Sequence, residues 1–409
     1  MGRGVWRAIG AVVLITSACS PSPPARDTRT PSGPGPTRHS SPPSTISSRQ
    51  SNSAPTTRTP SAPPPAGGLA RRVLAGMSEA ERVGQLLMVD CPSTQVADAT
   101  ITAIATYHVG SVILDGTSEL GAAQTLRVVT VLKGQSSAPA GLFIATDQEG
   151  GQVQRLQGPG FSAIPSALEQ GALAPYTLRA DAGQWATELQ AAGVNVDLGP
   201  VLDTVPRNFG SNPPIGDLDR EFGHDPLTVS SHGTAVVHGL QAAGVSATAK
   251  HFPGLGRVRG NPDLSAGVRD SATTRDDAYL APFAAAIRDG VAFVMMSTAI
   301  YTRIDPRAPA AFSPVIVTGM LRGDLHFRGV IISDDVGAAK QASGLSAGAR
   351  AVAFIAAGGS MVLTVDATQA PEMTAALLAR AKHDPAFRAQ IDAAALVVLQ
   401  AKQVRGLLS

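Results

Sequence analysis

The run Val330-Ile331-Ile332-Ser333-Asp334-Asp335 joins a strongly apolar segment to two adjacent carboxylates. It follows the end of an amphipathic helical pattern at Met320–Leu325 and a short turn. Such a run reads as a parallel strand covered on both faces. Charges placed where a strand of that kind ends belong to a ligand site, because ligands gather at the carboxyl ends of parallel strands. A carboxylate there can attack an electrophilic carbon, or it can cap the next helix. The cap reading competes for both Asp334 and Asp335, and Asp335, a supporting carboxylate or a cap, is assigned no catalytic role.

Three further segments carry chemistry. Asp147-Gln148-Glu149-Gly150-Gly151-Gln152-Val153-Gln154-Arg155 follows another apolar run. Its Gly pair lets backbone approach a ligand closely. Asp147 can accept from hydroxyls and Arg155 can donate to an oxygen-rich ligand, or the two belong to a tight loop with a surface ion pair. Ile215–Gly223 lies in a long segment from Gly199 to about Asp225, and long loops on compact domains are often functional. Arg220 is its candidate ligand contact; Asp217, Asp219, Glu221 and Asp225 crowd it, so a structural ion pair is the competing reading. Lys250-His251-Phe252-Pro253-Gly254-Leu255-Gly256 ends a fifth run and offers donors to a sugar or carboxylate. Its glycines lack the spacing of a nucleotide fingerprint. His224, His232 and His238 do not share a metal-ligand spacing, and the chain is read as cofactor-free.

The elements that must position these groups recur along the chain. Ser78-Glu79-Ala80-Glu81 reads as a capping box opening a helix. Eight apolar runs follow: Gln85–Asp90, Ser111–Asp115, Leu142–Asp147, Val194–Leu198, Ser246–Lys250, Ala292–Ser297, Val330–Ser333 and Met361–Thr364. Segments with helical spacing, such as Asp225–Ala243, Asp276–Asp289 and Ser346–Ala357, separate them. The pattern predicts an α/β fold, a (β/α)8 TIM-type barrel in a single domain over 68–409; a doubly wound open sheet is the alternative. In a barrel the polar strand ends face one mouth, so residues distant in sequence converge.

The first residues read differently. Arg3 and Arg7 stand at the start of a short apolar run, Ala8 to Ile15, followed by Thr16-Ser17-Ala18-Cys19, the pattern of an export signal over 1–18. Residues 19–67 are rich in Pro, Ser and Thr and hold almost no large apolar side chains, so they are expected to form a disordered tether. Signal and tether carry net charges of +2 and +4; the whole chain carries +2, leaving about −4 on 68–409. A mildly acidic domain argues against nucleic acid as partner. The basic stalk suits anionic lipid or wall polymer, or is merely solvated. With Cys19 set aside, Cys91 has no partner for a disulfide and reads as a small buried hydrophobe. A tethered monomer is the default.

Taken together, the motifs from about Met77 to Ala370 resemble glycoside hydrolase family 3, in particular its single-domain bacterial β-N-acetylhexosaminidases. The resemblance implies the barrel rather than the open sheet. It implies Asp334 as a nucleophile, and Asp147, Arg155, Arg220, Lys250 and His251 as contacts to a terminal sugar. The implied activity is an exo-acting β-N-acetylglucosaminidase on cell-wall-derived saccharides or muropeptides. Thr16–Cys19 likewise resembles a bacterial lipobox, which implies cleavage before Cys19, lipidation of its thiol, and attachment to a membrane outside the cytoplasm.

One departure bears on mechanism. In this branch of the family the acid/base is usually the His of an Asp-Ser-His triplet on the loop after the fifth strand. Counted without gaps from Lys250, the triplet here is Asn261-Pro262-Asp263, and no other His follows in that loop. Leu255 and Thr298 also stand where the family often has His. Asp263 is then the candidate acid/base, provided burial or negative charge raises its pKa toward neutrality; its loop is Gly- and Pro-rich and is expected to be mobile. Asp263 capping a turn is the competing reading. A sugar-binding protein that has lost its acid is the second functional reading. A phosphorylase is the third, disfavoured because a carboxylate repels phosphate.

Overall fold

The structure is a computed structural model that describes residues 68–136 and 139–409. The proposed signal, the tether and Cys19 lie outside the described residues.

Eight parallel strands close into a barrel: β1 (Leu87–Pro92), β2 (Ser111–Asp115), β3 (Phe143–Thr146), β4 (Val196–Asp197), β5 (Ser246–Phe252), β6 (Phe293–Met296), β7 (Val330–Asp335) and β8 (Met361–Thr364). Each pairs with its neighbours in chain order, and β8 returns to β1. This is the predicted (β/α)8 barrel, and the open sheet is excluded. The runs at Ser111–Asp115 and Met361–Thr364 have the expected bounds, while β5 and β7 extend two residues further, to Phe252 and Asp335. β1 starts later than its apolar pattern because Gln85 caps the preceding helix Glu79–Gly84. The capping box at that helix is present, with Ser78 Oγ accepting from Glu81 N and Glu81 Oε2 accepting from Ser78 N.

Strand periodicity sorts the core into two shells. Met88, Ile113, Phe143, Val196, Phe293, Met295, Val330, Ile332 and Met361 fill the barrel. Their strand neighbours Leu87, Val89, Val112, Ile144, Val294, Ile331 and Val362 face the surrounding helices. The base of the barrel is closed by the long helix Pro385–Val404, which adds Val398 to the interior cluster. Its Lys402 is fully buried and donates to Gln85 Oε1 and to Gly110 O, just ahead of β1 and β2. The strands finish at the opposite end, where the polar residues singled out in the sequence lie.

Candidate active site

The period-2 alternation that buries Val330 and Ile332 in the barrel carries Asp334 toward the same inner side, and Asp335 borders the same cavity at the strand end. A bulge lies between Ile332 and Asp335, where Ser333 and Asp334 stand opposite the single Val362. Bulges of this kind re-aim a side chain beside a site. Asp335 is structural: its carboxylate accepts from the amides of Gly337, Ala338 and Val365, tying the end of β7 to the end of β8. Asp334 caps no helix; among the described residues its carboxylate accepts one hydrogen bond, from the amide of Asp335. The carboxylate forms part of the wall of a cavity of about 380 Å³. Burial, and after it the negative charge of Asp263, push its pKa up to about 7, against the opposing charges of His251 and Lys250.

The same cavity is lined by Asp147, Arg155, Arg220, Lys250, His251 and Asp263. Every site residue expected from the sequence within the described chain therefore meets in one place, but their roles separate. Lys250 Nζ is wedged between Asp147 Oδ1 at 2.5 Å and Glu149 Oε1 at 2.6 Å. Arg220 spends Nε and Nη2 on the two oxygens of Glu149, at 2.8 and 2.7 Å, and Nη1 on Pro214 O. Burial alone would raise the Glu149 carboxyl, but the charges of Arg220 and Lys250 outweigh it and hold it well below the usual carboxylate range. Arg220 thus lines the cavity while most of its guanidinium is committed to protein. Arg155 is the opposite case. Among the described residues its buried Nε finds no hydrogen-bond partner, while the side chain forms part of the cavity wall.

Sequence reasoning missed two members of this set. Glu149 was read as part of a motif with no role of its own, yet it is the anion that neutralises Lys250 and Arg220 together. Asp203 went unremarked; it is fully buried and accepts from His251 Nδ1 at 2.7 Å and from Leu255 N at 2.7 Å. An Asp closing the apolar segment Val201-Leu202 just past β4 was the available signal. A buried carboxylate on Nδ1 directs the other imidazole nitrogen, Nε2, to serve the cavity. Behind the site, Asp197 is also buried. Loss of solvent raises its pKa to about 7, although Gln148 N donates to it.

Asp263 sits at the exposed rim, and the loop that carries it is tied down rather than loose. Its own amide donates to Asn261 Oδ1, so it does occupy a capped turn. That role uses the backbone and leaves the carboxylate of Asp263 available to the cavity.

Sequence comparison agrees with this arrangement. The profile for the glycosyl hydrolase family 3 N terminal domain matches residues 79–401. The chain belongs to glycosyl hydrolase family 3. It is 36% identical over 265 residues to the β-hexosaminidase of Xylella fastidiosa (strain M23), covering 62% of this chain and 75% of that one. The β-N-acetylhexosaminidase of Beutenbergia cavernae is 50% identical and superimposes with a TM-score of 0.79, covering 80% of this chain and 99% of that one. A family 3 β-N-acetylglucosaminidase from Paenibacillus sp. is 30% identical with a TM-score of 0.74, covering 81% and 63%. As a family 3 member this chain is a glycoside hydrolase, and Asp334 and Asp263 line the cavity at its barrel mouth.

Proposed function

We infer that the protein is an exo-acting β-N-acetylglucosaminidase that releases terminal N-acetylglucosamine by a retaining, covalent mechanism. The observation that carries the reading is Asp334 at the inner end of β7, free of structural duty and facing the same cavity as Asp263. The cavity volume of about 380 Å³ lies near the small end of the ~300–1,000 Å³ typical of ligand pockets, which suits one terminal ring better than the interior of a polymer.

Asp334 attacks the anomeric carbon to form a glycosyl-enzyme while Asp263 protonates the departing oxygen. Asp263 then takes a proton from water as that water attacks the same carbon and releases Asp334. Lys250, Asp147, Arg155 and His251 orient the sugar hydroxyls. Low aromatic content leaves few stacking platforms for a long chain, which favours short wall-derived fragments, including muropeptides. Cys19, in our reading, carries a lipid that holds the protein at a membrane outside the cytoplasm. Loss of radiolabelled palmitate incorporation in Cys19→Ser would support that anchor, and unchanged labelling would refute it.

The exposure of Asp263 and the absence of the usual His favour a second reading, a sugar-binding protein that no longer turns over. One experiment separates the two. An activated aryl β-N-acetylglucosaminide and a natural disaccharide are offered to the parent protein. Turnover of both supports the hydrolase; binding of N-acetylglucosamine without turnover of either supports the binding protein.

A further inference from the structure

The loop bearing Asp263 is fastened to the segment that follows Asp334. Lys340 N donates to Asp263 O at 3.1 Å, and Gln341 N donates to Pro262 O at 3.0 Å. From the other side, Val268 N donates to Gln341 Oε1 at 2.9 Å. Gln341 therefore grips both limbs of the loop, at Pro262 before its tip and at Val268 after it. The Gly- and Pro-rich composition had suggested a mobile segment; these bonds pin it instead.

The segment that does the gripping is itself fixed. Residues 336–339 connect β7 to the short 3-10 turn Lys340–Ala342. Asp335 holds the start of that connection through Gly337 N and Ala338 N. Arg350 Nη1 donates to the carbonyls of Val336 and Gly337 at 2.6 and 2.7 Å. The path from Asp334 to the Asp263 loop thus runs through a few restrained residues rather than around the barrel.

We propose that Gln341 is a positioning residue that sets the placement of the Asp263 carboxylate relative to Asp334, through its simultaneous hydrogen bonds to Pro262 and Val268. This rests on Asp263 being the acid/base. The physical reason is the one that governs any two-carboxylate glycosidase: the acid must stay in line with the leaving oxygen, and a side chain at an exposed rim has no packing of its own to keep it there. The strap supplies the order that a substitution of Asp for His on this loop requires.

The test compares the full chain with Asp263→Asn, Gln341→Met and Gln341→Glu on a series of aryl β-N-acetylglucosaminides of increasing leaving-group pKa, with the natural disaccharide at the far end. Gln341→Met fills the space without an acceptor for Val268 N; Gln341→Glu keeps one. Under the proposal, Gln341→Met lowers kcat on the disaccharide by about 10²-fold while the most activated substrate loses less than about threefold. Its dependence on leaving-group pKa steepens toward that of Asp263→Asn, and Gln341→Glu restores a shallower slope. Thermal unfolding midpoints identify any loss due to misfolding. If Asp263→Asn is selective for poor leaving groups but Gln341→Met is not, the positioning role falls and the acid assignment survives. If Asp263→Asn is not selective, the acid assignment fails and the role of Gln341 fails with it.

Discussion

Asp203 and His251 form a buried carboxylate–imidazole pair, with Oδ2 at 2.7 Å from Nδ1. They lie on opposite sides of the β4–β5 seam, 48 residues apart in sequence, and the carboxylate also receives the amide of Leu255. Asp203 is not part of the cavity wall, but its hydrogen bond to Nδ1 orients the His251 ring that is. Asp203→Asn presents an amide in place of the acceptor and leaves Nδ1 free to turn. The expected result is a loss of about 10–100-fold in kcat/KM on an aryl β-N-acetylglucosaminide, in line with other supporting carboxylates behind functional imidazoles. The same substitution in a structural pair would change the unfolding midpoint and spare kinetics.

Removing the proposed nucleophile has a different signature. Asp334→Ala is expected to lower kcat by at least about 10⁴-fold on activated and natural substrates alike, because both pass through the covalent intermediate. Stability should not fall, since burial already disfavours the ionised Asp334 carboxylate. Retained turnover would remove Asp334 from the mechanism. Mass spectrometry of the parent protein trapped with a slow 2-fluoro glycoside should find the adduct on the peptide containing Asp334.

The charge of Asp263 raises the pKa of Asp334, so neutralising it must act in the opposite direction. Attack requires ionised Asp334, which places its titration on the acid limb of kcat/KM. For a substrate that needs no acid help, Asp263→Asn is expected to move that limb to lower pH. An unmoved acid limb would show that the two carboxylates do not sense each other.

Glu149 neutralises two buried cations, and its removal tests structure more than chemistry. Glu149→Gln removes the carboxylate that both Arg220 and Lys250 contact, leaving Lys250 with Asp147 and Arg220 without an ion-pair partner among the described residues. Breaking such a buried network typically costs about 3–5 kcal/mol. With a folded-state pKa below its unfolded value, Glu149 stabilises the fold above its unfolded pKa and loses that contribution as pH falls through the folded value. The destabilisation of Glu149→Gln should therefore be full at pH 7 and shrink progressively as pH falls below 4.5, as read by denaturant midpoints.

Asp197 has the reverse sign. Its folded pKa of about 7 lies above the unfolded value, so its contribution is most favourable below about pH 4 and is lost as pH rises to about 7. Asp197→Asn is expected to stabilise the protein by about 1–3 kcal/mol at pH 8 relative to its effect at pH 4, where the gain should vanish. A pH-independent difference would contradict this assignment.

Much of the architecture was legible from local pattern. Apolar runs closing on polar residues mark strands and their ends with period 2, and that rule is local enough to place Asp334, Asp147 and Lys250 at a common mouth once the sheet closes. The capping box at Ser78 and Glu81, and the side-chain caps at Asp225 and Ser346, follow equally from neighbouring residues.

What the fold alone decided concerns partners far apart in the chain. Asp334 and Asp335 are indistinguishable as residue types and both border the cavity, yet the contacts around the bulge give Asp335 three amide partners and leave Asp334 with the amide of Asp335. Glu149 and Asp203 became recognisable only when burial removed water and forced each to find its countercharge or donor, at separations of 71 and 48 residues. The restraint on the Asp263 loop was hidden for the same reason: composition reports how freely a segment bends, whereas Gln341, on another strand's connection, determines whether it does.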